Sequence, residues 1–132
     1  DGADVLSGGA GKDRLNGGLG IDTLTGGATT DKFVLSSHTA DHDIITDFRI
    51  TNDKLVVSAA EFGGGLTVGR LDATQFVMND TGNAGDADDR FIYDTSTNQL
   101  IYDSNGSAAG GSSLIAVFTS AIALSADLII IV

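Results

Sequence analysis

The sequence contains no cysteine, no proline and no tryptophan among its 132 residues. The lack of cysteine excludes disulfide bonds and thiolate chemistry. It does not decide the compartment, because a bound metal ion can replace disulfides as the staple of an exported protein. Basic residues are also scarce: 7 Lys and Arg against 18 Asp and Glu give a formal net charge of -11. That charge argues against binding to nucleic acids or to anionic membrane surfaces.

Glycine and aspartate are abundant at the N-terminus and recur with a fixed period. Residues 8–34 divide into three nine-residue units, GGAGKDRLN, GGLGIDTLT and GGATTDKFV, and residues 1–7 fit the end of a fourth. Each complete unit opens with two glycines and has an aspartate sixth and a large apolar residue eighth. The aspartates are Asp4, Asp13, Asp22 and Asp31, and the apolar residues are Leu6, Leu15, Leu24 and Phe33.

A nine-residue unit is long enough for one short strand and one turn. The glycine pairs predict the turn, because glycine reaches positive φ at little cost. The three residues after each aspartate should alternate outward, inward and outward, as in a strand. If consecutive strands lie on opposite walls, one coil takes two units. Each aspartate then lies below the aspartate two units earlier, with the apolar residues stacked inside.

Carboxylates stacked at the spacing of neighbouring strands repel one another, so this geometry needs a cation. Glycine turns also leave carbonyl oxygens without ladder partners. A ligand set of carboxylate and carbonyl oxygens, without nitrogen or sulfur, favours a hard ion. Calcium fits best, because it accepts six to eight oxygens in a loose geometry. The repeats therefore predict calcium between stacked turns.

The units resemble the GGxGxDxUx nonapeptide repeats of RTX proteins, which form calcium-binding parallel β-helices. The resemblance implies that each calcium lies between two stacked turns, and that each turn gives its aspartate and two carbonyls. One site would use Gly9, Gly11 and Asp13 with Gly26, Ala28 and Asp31. The opposite site would use Gly2 and Asp4 with Gly17, Leu19 and Asp22. Thr29 replaces the fourth-position glycine of its unit, which strains that turn or marks the end of the roll.

The nine-residue frame ends after Val34, and short apolar runs separated by polar turns follow. This spacing predicts an antiparallel β region, with one helical turn near residues 59–62 and a hairpin that pairs residues 90–94 with 99–103. The predicted fold is therefore all-β: a short parallel β-roll, residues 1–35, capped by an antiparallel β region, residues 36–132. The glycines at 63–65 should form a loop rather than a phosphate cradle, because no βα unit surrounds them.

Four segments of this second region, residues 41–58, 69–76, 87–106 and 124–132, resemble the C-terminal flank of type I secreted proteins. The resemblance implies that Asp47 and Asp53 close the last calcium site of the roll, opposite Asp22. Plain turn chemistry at strand ends is the alternative for both.

The end of the chain also resembles the uncleaved C-terminal signal that the type I secretion machinery recognises. An acidic residue precedes a hydrophobic run, and the residues are Asp127, Leu128, Ile129, Ile130, Ile131 and Val132. As structure, the same run must be a buried or paired strand, since an open apolar edge would aggregate. It is too short to span a membrane.

Other candidate sites are weaker. His38 and His42 lack the glutamate of a zinc protease HExxH helix. Tyr93 and Tyr102 could stack on sugar rings, although packing across the hairpin is favoured. The acidic cluster, defined as Asp86, Asp88 and Asp89, could hold another cation, but a solvated loop is favoured. The chain has no Gly-x-Ser-x-Gly elbow and only two histidines, so no catalytic triad is expected.

These observations predict the calcium-binding C-terminal module of a larger secreted protein, which folds when it meets extracellular calcium and carries the export signal. Because the chain begins in mid-repeat without Met, we expect it to be a fragment. One alternative is a calcium-stiffened adhesion or carbohydrate-binding module with a polysaccharide or cell-surface ligand. Another is the tail of a secreted hydrolase whose catalytic domain lies outside this sequence.

Overall fold

The computed structural model describes residues 1–38 and 41–132. Within these ranges the regular secondary structure is nearly all β-strand, which confirms the predicted fold class. The one α-helix among the described residues, α1 (Ala59–Phe62), is where the sequence predicts a helical turn. No helix in the described ranges has the length and apolar character needed to cross a bilayer. The strands are β1 (Val5–Ala10), β2 (Arg14–Asn16), β3 (Thr23–Ala28), β4 (Lys32–Val34), β5 (Asp43–Ile45), β6 (Lys54–Val57), β7 (Gly69–Arg70), β8 (Phe76–Asn79), β9 (Phe91–Asp94), β10 (Gln99–Asp103), β11 (Ser112–Phe118) and β12 (Ile129–Ile131).

The nonapeptide units form two coils of a parallel roll. Strands β1 and β3 pair in parallel on one wall, with Leu6 opposite Leu24. Strands β2 and β4 pair in parallel on the other wall, with Leu15 opposite Phe33. Consecutive strands therefore alternate between walls and each coil takes two units, as the repeat predicts.

A third coil follows the repeats although the nine-residue frame is lost. Strand β5 pairs in parallel with β3, and β6 pairs in parallel with β4, with Phe33 opposite Leu55. The stack therefore continues past residue 35, where the sequence predicts the end of the roll. Longer connections lead into the third coil. Asp31 and Asp53 are 22 residues apart, whereas Asp13 and Asp31 are 18 residues apart.

The remaining strands extend both walls. One sheet has the order β1-β3-β5-β11-β10-β9-β8, and the other has the order β2-β4-β6-β12-β7. The predicted hairpin is confirmed, since β9 and β10 are antiparallel with Tyr93 opposite Leu100. The expectation of an antiparallel cap is wrong for β5/β11, β6/β12 and β8/β9, which pair in parallel. Strands β11 and β12 return to the walls of the roll and continue its parallel stacks.

The space between the two sheets is one continuous apolar core. Leu24, Phe33 and Leu55 are fully buried in the roll. The Phe33 ring lies 5.8 Å from the ring of Phe48, which in turn lies 5.5 Å from that of Phe118. The column of repeat side chains therefore joins an aromatic cluster in the cap.

Both tyrosines belong to this core. Tyr93 is 1% exposed and Tyr102 is 4% exposed. The hydroxyl of Tyr102 donates to the carbonyl of Phe62 at 2.8 Å, and the two rings meet edge to face at 4.9 Å. Burial raises the pKa of Tyr102. The structure confirms the packing alternative and excludes the sugar-stacking one.

The C-terminal run is a strand paired on both sides. Strand β12 is parallel to β6 and antiparallel to β7. Leu128, Ile129 and Ile131 are buried, whereas Asp127 is exposed. The prediction of a buried or paired strand is confirmed.

Candidate metal centre

The glycine turns of the repeats have the backbone that the sequence predicts. The second glycine of each pair has φ near 90°. The glycine in the fourth position also has a positive φ, between 98° and 116°. These residues are Gly9 (88°), Gly18 (90°) and Gly27 (96°), then Gly2 (98°), Gly11 (114°) and Gly20 (116°). Thr29 takes the same fourth position with φ of 85°. It adopts the left-handed region, which is costly for a β-branched residue.

The aspartates form two ladders, one at each edge of the coils. The amide of Asp4 donates to Oδ1 of Asp22 at 2.7 Å, and the amide of Asp13 donates to Oδ1 of Asp31 at 3.0 Å. Each carboxylate is thus fixed by the aspartate of the preceding coil. Burial increases along the ladders: Asp4 is exposed, Asp13 is half-buried, and Asp22 and Asp31 are fully buried.

The second oxygen of three of these carboxylates is left without a partner. Oδ2 of Asp13, Asp22 and Asp31 is buried and accepts no hydrogen bond within the described residues. A buried carboxylate oxygen with no donor is costly. A bound cation would compensate each of them, and the same three aspartates are predicted ligands.

Space for an ion exists beside these oxygens only because glycine lacks a side chain. A Cβ atom placed on Gly8 would lie 2.6 Å from Oδ2 of Asp13 and 2.7 Å from the carbonyl oxygen of Gly26. Oxygens of two successive coils therefore converge on one space. A Cβ on Gly17 or Gly26 would likewise meet Oδ2 of the aspartate in its own unit. The first glycine of each pair is thus needed for space, whereas the second is needed for its φ.

Other predicted carbonyl ligands lie between the same stacked turns. The carbonyl of Gly9 faces Gly27, and the carbonyl of Gly2 faces Gly20. Each lies so close that a side chain on Gly27 or Gly20 would overlap the carbonyl it faces. The carbonyl of Leu19 accepts a hydrogen bond from the amide of Gly2 at 3.0 Å. Gly11, Gly17 and Ala28 belong to these turns, and their carbonyls stay predicted ligands.

The donor set suits calcium. It consists of carboxylate and carbonyl oxygens, the ligands of hard cations. Within residues 1–38 and 41–132, no three side chains of His, Cys, Asp or Glu converge as a metal site. A cation between the turns would therefore depend on backbone carbonyls, whose positions are set by the glycines. These residues would hold calcium, which would supply positive charge between the ladders.

Asp47 and Asp53 have all four carboxylate oxygens occupied by backbone amides. Asp47 accepts from Gly26 and Gly27, both at 2.8 Å. Asp53 accepts from Asp31 at 2.9 Å and from Arg49 at 2.8 Å. Asp53 continues the ladder of Asp31, so the expectation that it lies opposite Asp22 is wrong. The nine-residue frame could not place Asp53, because the connection that leads to it has a changed length.

Asp43 is the ladder member that sequence reasoning missed. Ile44, the next residue, donates its amide to the carbonyl of Asp22 at 2.7 Å, which stacks Asp43 next to Asp22. Burial raises the pKa of Asp43 to about 7, and the neighbouring carboxylate of Asp22 contributes. A signal exists in the sequence, since Asp43-Ile44-Ile45 repeats the Asp-x-apolar triplet of Asp22-Thr23-Leu24.

The weaker candidates are engaged elsewhere. In the acidic cluster, Oδ2 of Asp89 accepts from the amides of Gly85 and Asp86 at 2.7 and 3.1 Å, as in an ordinary turn. His38 contacts Ser36 and lies with Nδ1 3.7 Å from Oε1 of Glu61. Part of the segment between His38 and His42, residues 39–40, lies outside the described residues.

Comparison with known proteins bears on the N-terminal repeats. None of the curated proteins compared with the chain matches it. Residues 1–24 match the RTX calcium-binding nonapeptide repeat, a family pattern of four copies. This match covers 24 of the 132 residues and stops before the unit that contains Thr29. The N-terminal segment of the chain is therefore built of RTX calcium-binding nonapeptide repeats.

Proposed function

We propose that this chain is a module whose roll folds when calcium binds, within a larger secreted protein. The observation that carries the proposal is the set of three buried, unpartnered Oδ2 atoms of Asp13, Asp22 and Asp31. One ion would lie between the turns of Asp13 and Asp31, with the carbonyls of Gly9, Gly11, Gly26 and Ala28. A second would lie between the turns of Asp4 and Asp22, with the carbonyls of Gly2, Gly17 and Leu19.

Electrostatics support the coupling between binding and folding. Without an ion, closing the ladders buries carboxylates beside one another in a chain of net charge -11. The open chain avoids that repulsion and keeps the carboxylates hydrated. With an ion, the free energy of binding becomes free energy of folding, because the ligands are assembled only in the stacked coils.

The third coil closes the ladder of Asp13 and Asp31 by other means. Backbone amides occupy every oxygen of Asp47 and Asp53. We propose that these two aspartates end the metal-dependent part of the roll and stabilise its last turn without an ion.

We also propose that the C-terminal run is the export signal, read before the chain folds. Pairing with β6 and β7 covers the backbone of β12 on both sides, so the folded state hides most of this segment. Recognition by type I secretion machinery and packing into the sheet would then exclude each other. The machinery would therefore have to bind the signal before β12 pairs with β6 and β7, and folding outside the cell would then bury it.

Isothermal calorimetry with parallel circular dichroism tests calcium-driven folding. We expect calcium binding together with a gain of β-structure, and an open roll in excess chelator. Asp13→Asn and Asp22→Asn should weaken binding, whereas Asp88→Asn, with the same charge change at an exposed position of the acidic cluster, should bind as the parent does. An unchanged spectrum in chelator would contradict calcium-driven folding. Equal binding by all three variants would contradict the ligand assignment.

Export needs its own readout. We expect Asp127→Ala to bind calcium as the parent does and to be exported less efficiently in a host with a type I system. Asp72→Ala, another exposed aspartate, is the matched control. Export of Asp127→Ala at the level of Asp72→Ala would show that Asp127 is not part of a signal.

A further inference from the structure

The outer face of the five-stranded sheet carries a row of basic side chains. Arg14 pairs with Lys32, and Lys32 pairs with Lys54, in adjacent parallel strands. The residue after each of them, Leu15, Phe33 or Leu55, is buried in the core. The three basic residues therefore point away from the core, on one line across β2, β4 and β6.

A fourth basic residue lies on the same face, in the neighbouring row. Arg70 of β7 pairs with Ile130 of β12, and Ile130 pairs with Val56 of β6. We call Arg14, Lys32, Lys54 and Arg70 the basic face. It holds four of the seven Lys and Arg residues of a chain with net charge -11. Arg14, Lys32 and Arg70 are exposed, and Lys54 is half-buried.

No carboxylate neutralises the basic face at close range. In the part of the chain that the structure describes, the only ion pair within 4.0 Å is His38 with Glu61. Asp127 interacts with this face at longer range: its pKa is lowered first by the hydrogen bond from Ser125 and further by Lys54 and Arg70. Like charges opposite one another on neighbouring strands destabilise a sheet. The row therefore has a cost that no ion pair within 4.0 Å offsets in the described part of the chain.

The opposite wall shows that the roll does not require this row. Each residue of the basic row follows a ladder aspartate: Asp13, Asp31 and Asp53. The matching residues on the seven-stranded sheet follow Asp4, Asp22 and Asp43, and they are Val5, Thr23 and Ile44, paired in the same way. If positive charge were needed only to offset the ladders, both walls would carry it.

We infer that the basic face binds a linear acidic polysaccharide, with one carboxylate on each sugar ring, that runs across the strands along the row. Neighbouring strands place the charges about 4.8 Å apart on a straight line, which suits a polymer with regularly spaced anions. The adjacent row, Val34, Val56 and Ile130, is apolar; Val34 and Ile130 are half-exposed, whereas Val56 between them is buried. Val34 and Ile130 offer apolar contacts for the C–H faces of sugar rings.

Other polyanions fit this face less well. Its outward residues include no aromatic side chain, whereas proteins that bind single-stranded nucleic acids stack the bases on aromatic rings. The net charge of -11 also opposes close approach to a broad anionic surface, such as a duplex phosphate backbone or an anionic bilayer. A narrow basic row can hold one chain of carboxylates while the rest of the surface stays in solvent.

The test is calorimetric titration of calcium-saturated protein with oligogalacturonate too short to gel with calcium. Two double variants remove the same charge: Lys32→Gln with Lys54→Gln within the basic face, and Lys12→Gln with Arg49→Gln, which are not part of it. We expect the first pair to raise the dissociation constant about tenfold, as for two exposed charge contacts. The second pair should bind as the parent does.

Three outcomes would overturn the inference. They are no binding by the parent, equal loss in both double variants, and equally tight binding of single-stranded DNA or anionic vesicles that the same variant abolishes. No binding by the parent would mean that the face is not a saccharide site. Equal loss in both double variants would mean a net-charge effect. Equally tight binding of DNA or vesicles would mean a general anion surface. Calcium titration of each variant keeps this inference separate from the proposed function. Parental calcium binding with lost oligogalacturonate binding assigns the loss to the basic face alone.

Discussion

The first two coils and the third coil are built on the same aspartate ladders, yet they satisfy their carboxylates differently. In the repeats, one oxygen of Asp13, Asp22 and Asp31 stays buried without a donor. In the third coil, both oxygens of Asp53 accept backbone amides. The same stacking of aspartates thus occurs with two different environments for the buried carboxylate. We therefore expect a coil that keeps an oxygen free to depend on an ion, and a coil that gives that oxygen an amide not to.

The apolar core of the cap is also larger and more aromatic than the apolar core of the repeats. The repeats contribute one inward side chain per strand, such as Leu15 or Leu24. The cap adds a cluster in which the Phe118 ring lies 5.5 Å from Phe48 and 5.9 Å from Tyr93. Aromatic side chains bury more surface and gain from tilted contacts. The cap therefore has its own source of stability, whereas we expect the repeats to need the cation.

Calcium removal should give the largest effect and divide the molecule at the third coil. We expect amides of β1 to β4 to lose protection from hydrogen exchange in excess chelator, because their coils then hold uncompensated carboxylates. Amides of β9 to β11 should keep theirs. Exchange followed by mass spectrometry resolves the two groups. Loss of protection in both regions at one calcium concentration would show a single cooperative unit and remove the distinction.

Asp31→Asn and Asp53→Asn should have opposite consequences, although both are buried ladder positions. In Asp31→Asn, a free oxygen and its charge are lost. We expect calcium affinity to fall by about tenfold or more, or about 1.4 kcal/mol, and the calcium-free protein to become more stable. In Asp53→Asn, one backbone amide loses its acceptor, which should cost about 1–3 kcal/mol and leave calcium affinity unchanged.

Calorimetry and denaturant unfolding, with and without calcium, measure both variants of this pair. A calcium affinity lowered equally by the two substitutions would show that Asp53 is also a ligand. The amide contacts of the third coil would then not replace the ion.

Asp43 should make the calcium-free protein sensitive to pH. Its pKa is raised from 3.8 to about 7 in the folded state, by burial and by Asp22. Between these values the folded state holds a proton that the unfolded chain has released. Stability should therefore fall as pH rises from about 4 to about 7 and lose nothing further from this group above that range. Urea unfolding of Asp43→Asn should lack this component. A parental pH profile in that variant would contradict the assignment.

The repeats could be predicted in detail because their period fixes both register and role. The spacing of Asp4, Asp13, Asp22 and Asp31 sets the coil at two units, and the structure has that register. The oxygen-rich turns likewise predicted calcium. The third coil could not be placed, because its connections vary in length and stacking depends on tertiary pairing instead. Asp43 was missed for this reason, although its Asp-x-apolar triplet is readable.

The sequence could not distinguish carboxylates that need an ion from those that amides satisfy. Asp47 and Asp53 are aspartates at strand ends, as the ladder residues are. Only the positions of the amides of Gly26, Gly27 and Arg49 separate them. The parallel pairing of β11 and β12 with the roll is likewise a tertiary property, since short apolar runs do not reveal their neighbours.

The smallest expected effect concerns the turn that leads to Asp31. Thr29 has φ of 85°, whereas glycine takes this position in the other repeats. A β-branched residue in this region costs about 1–2 kcal/mol, and glycine lowers that cost but gives the unfolded chain more freedom, worth about 0.4–1 kcal/mol. Thr29→Gly should therefore stabilise the calcium-bound protein by at most about 1 kcal/mol. Thermal unfolding measures it against Thr30→Gly, whose position has no positive φ and which should destabilise. Equal destabilisation by both would mean that the turn tolerates threonine without strain, and that the end of the matched repeats at residue 24 has another cause.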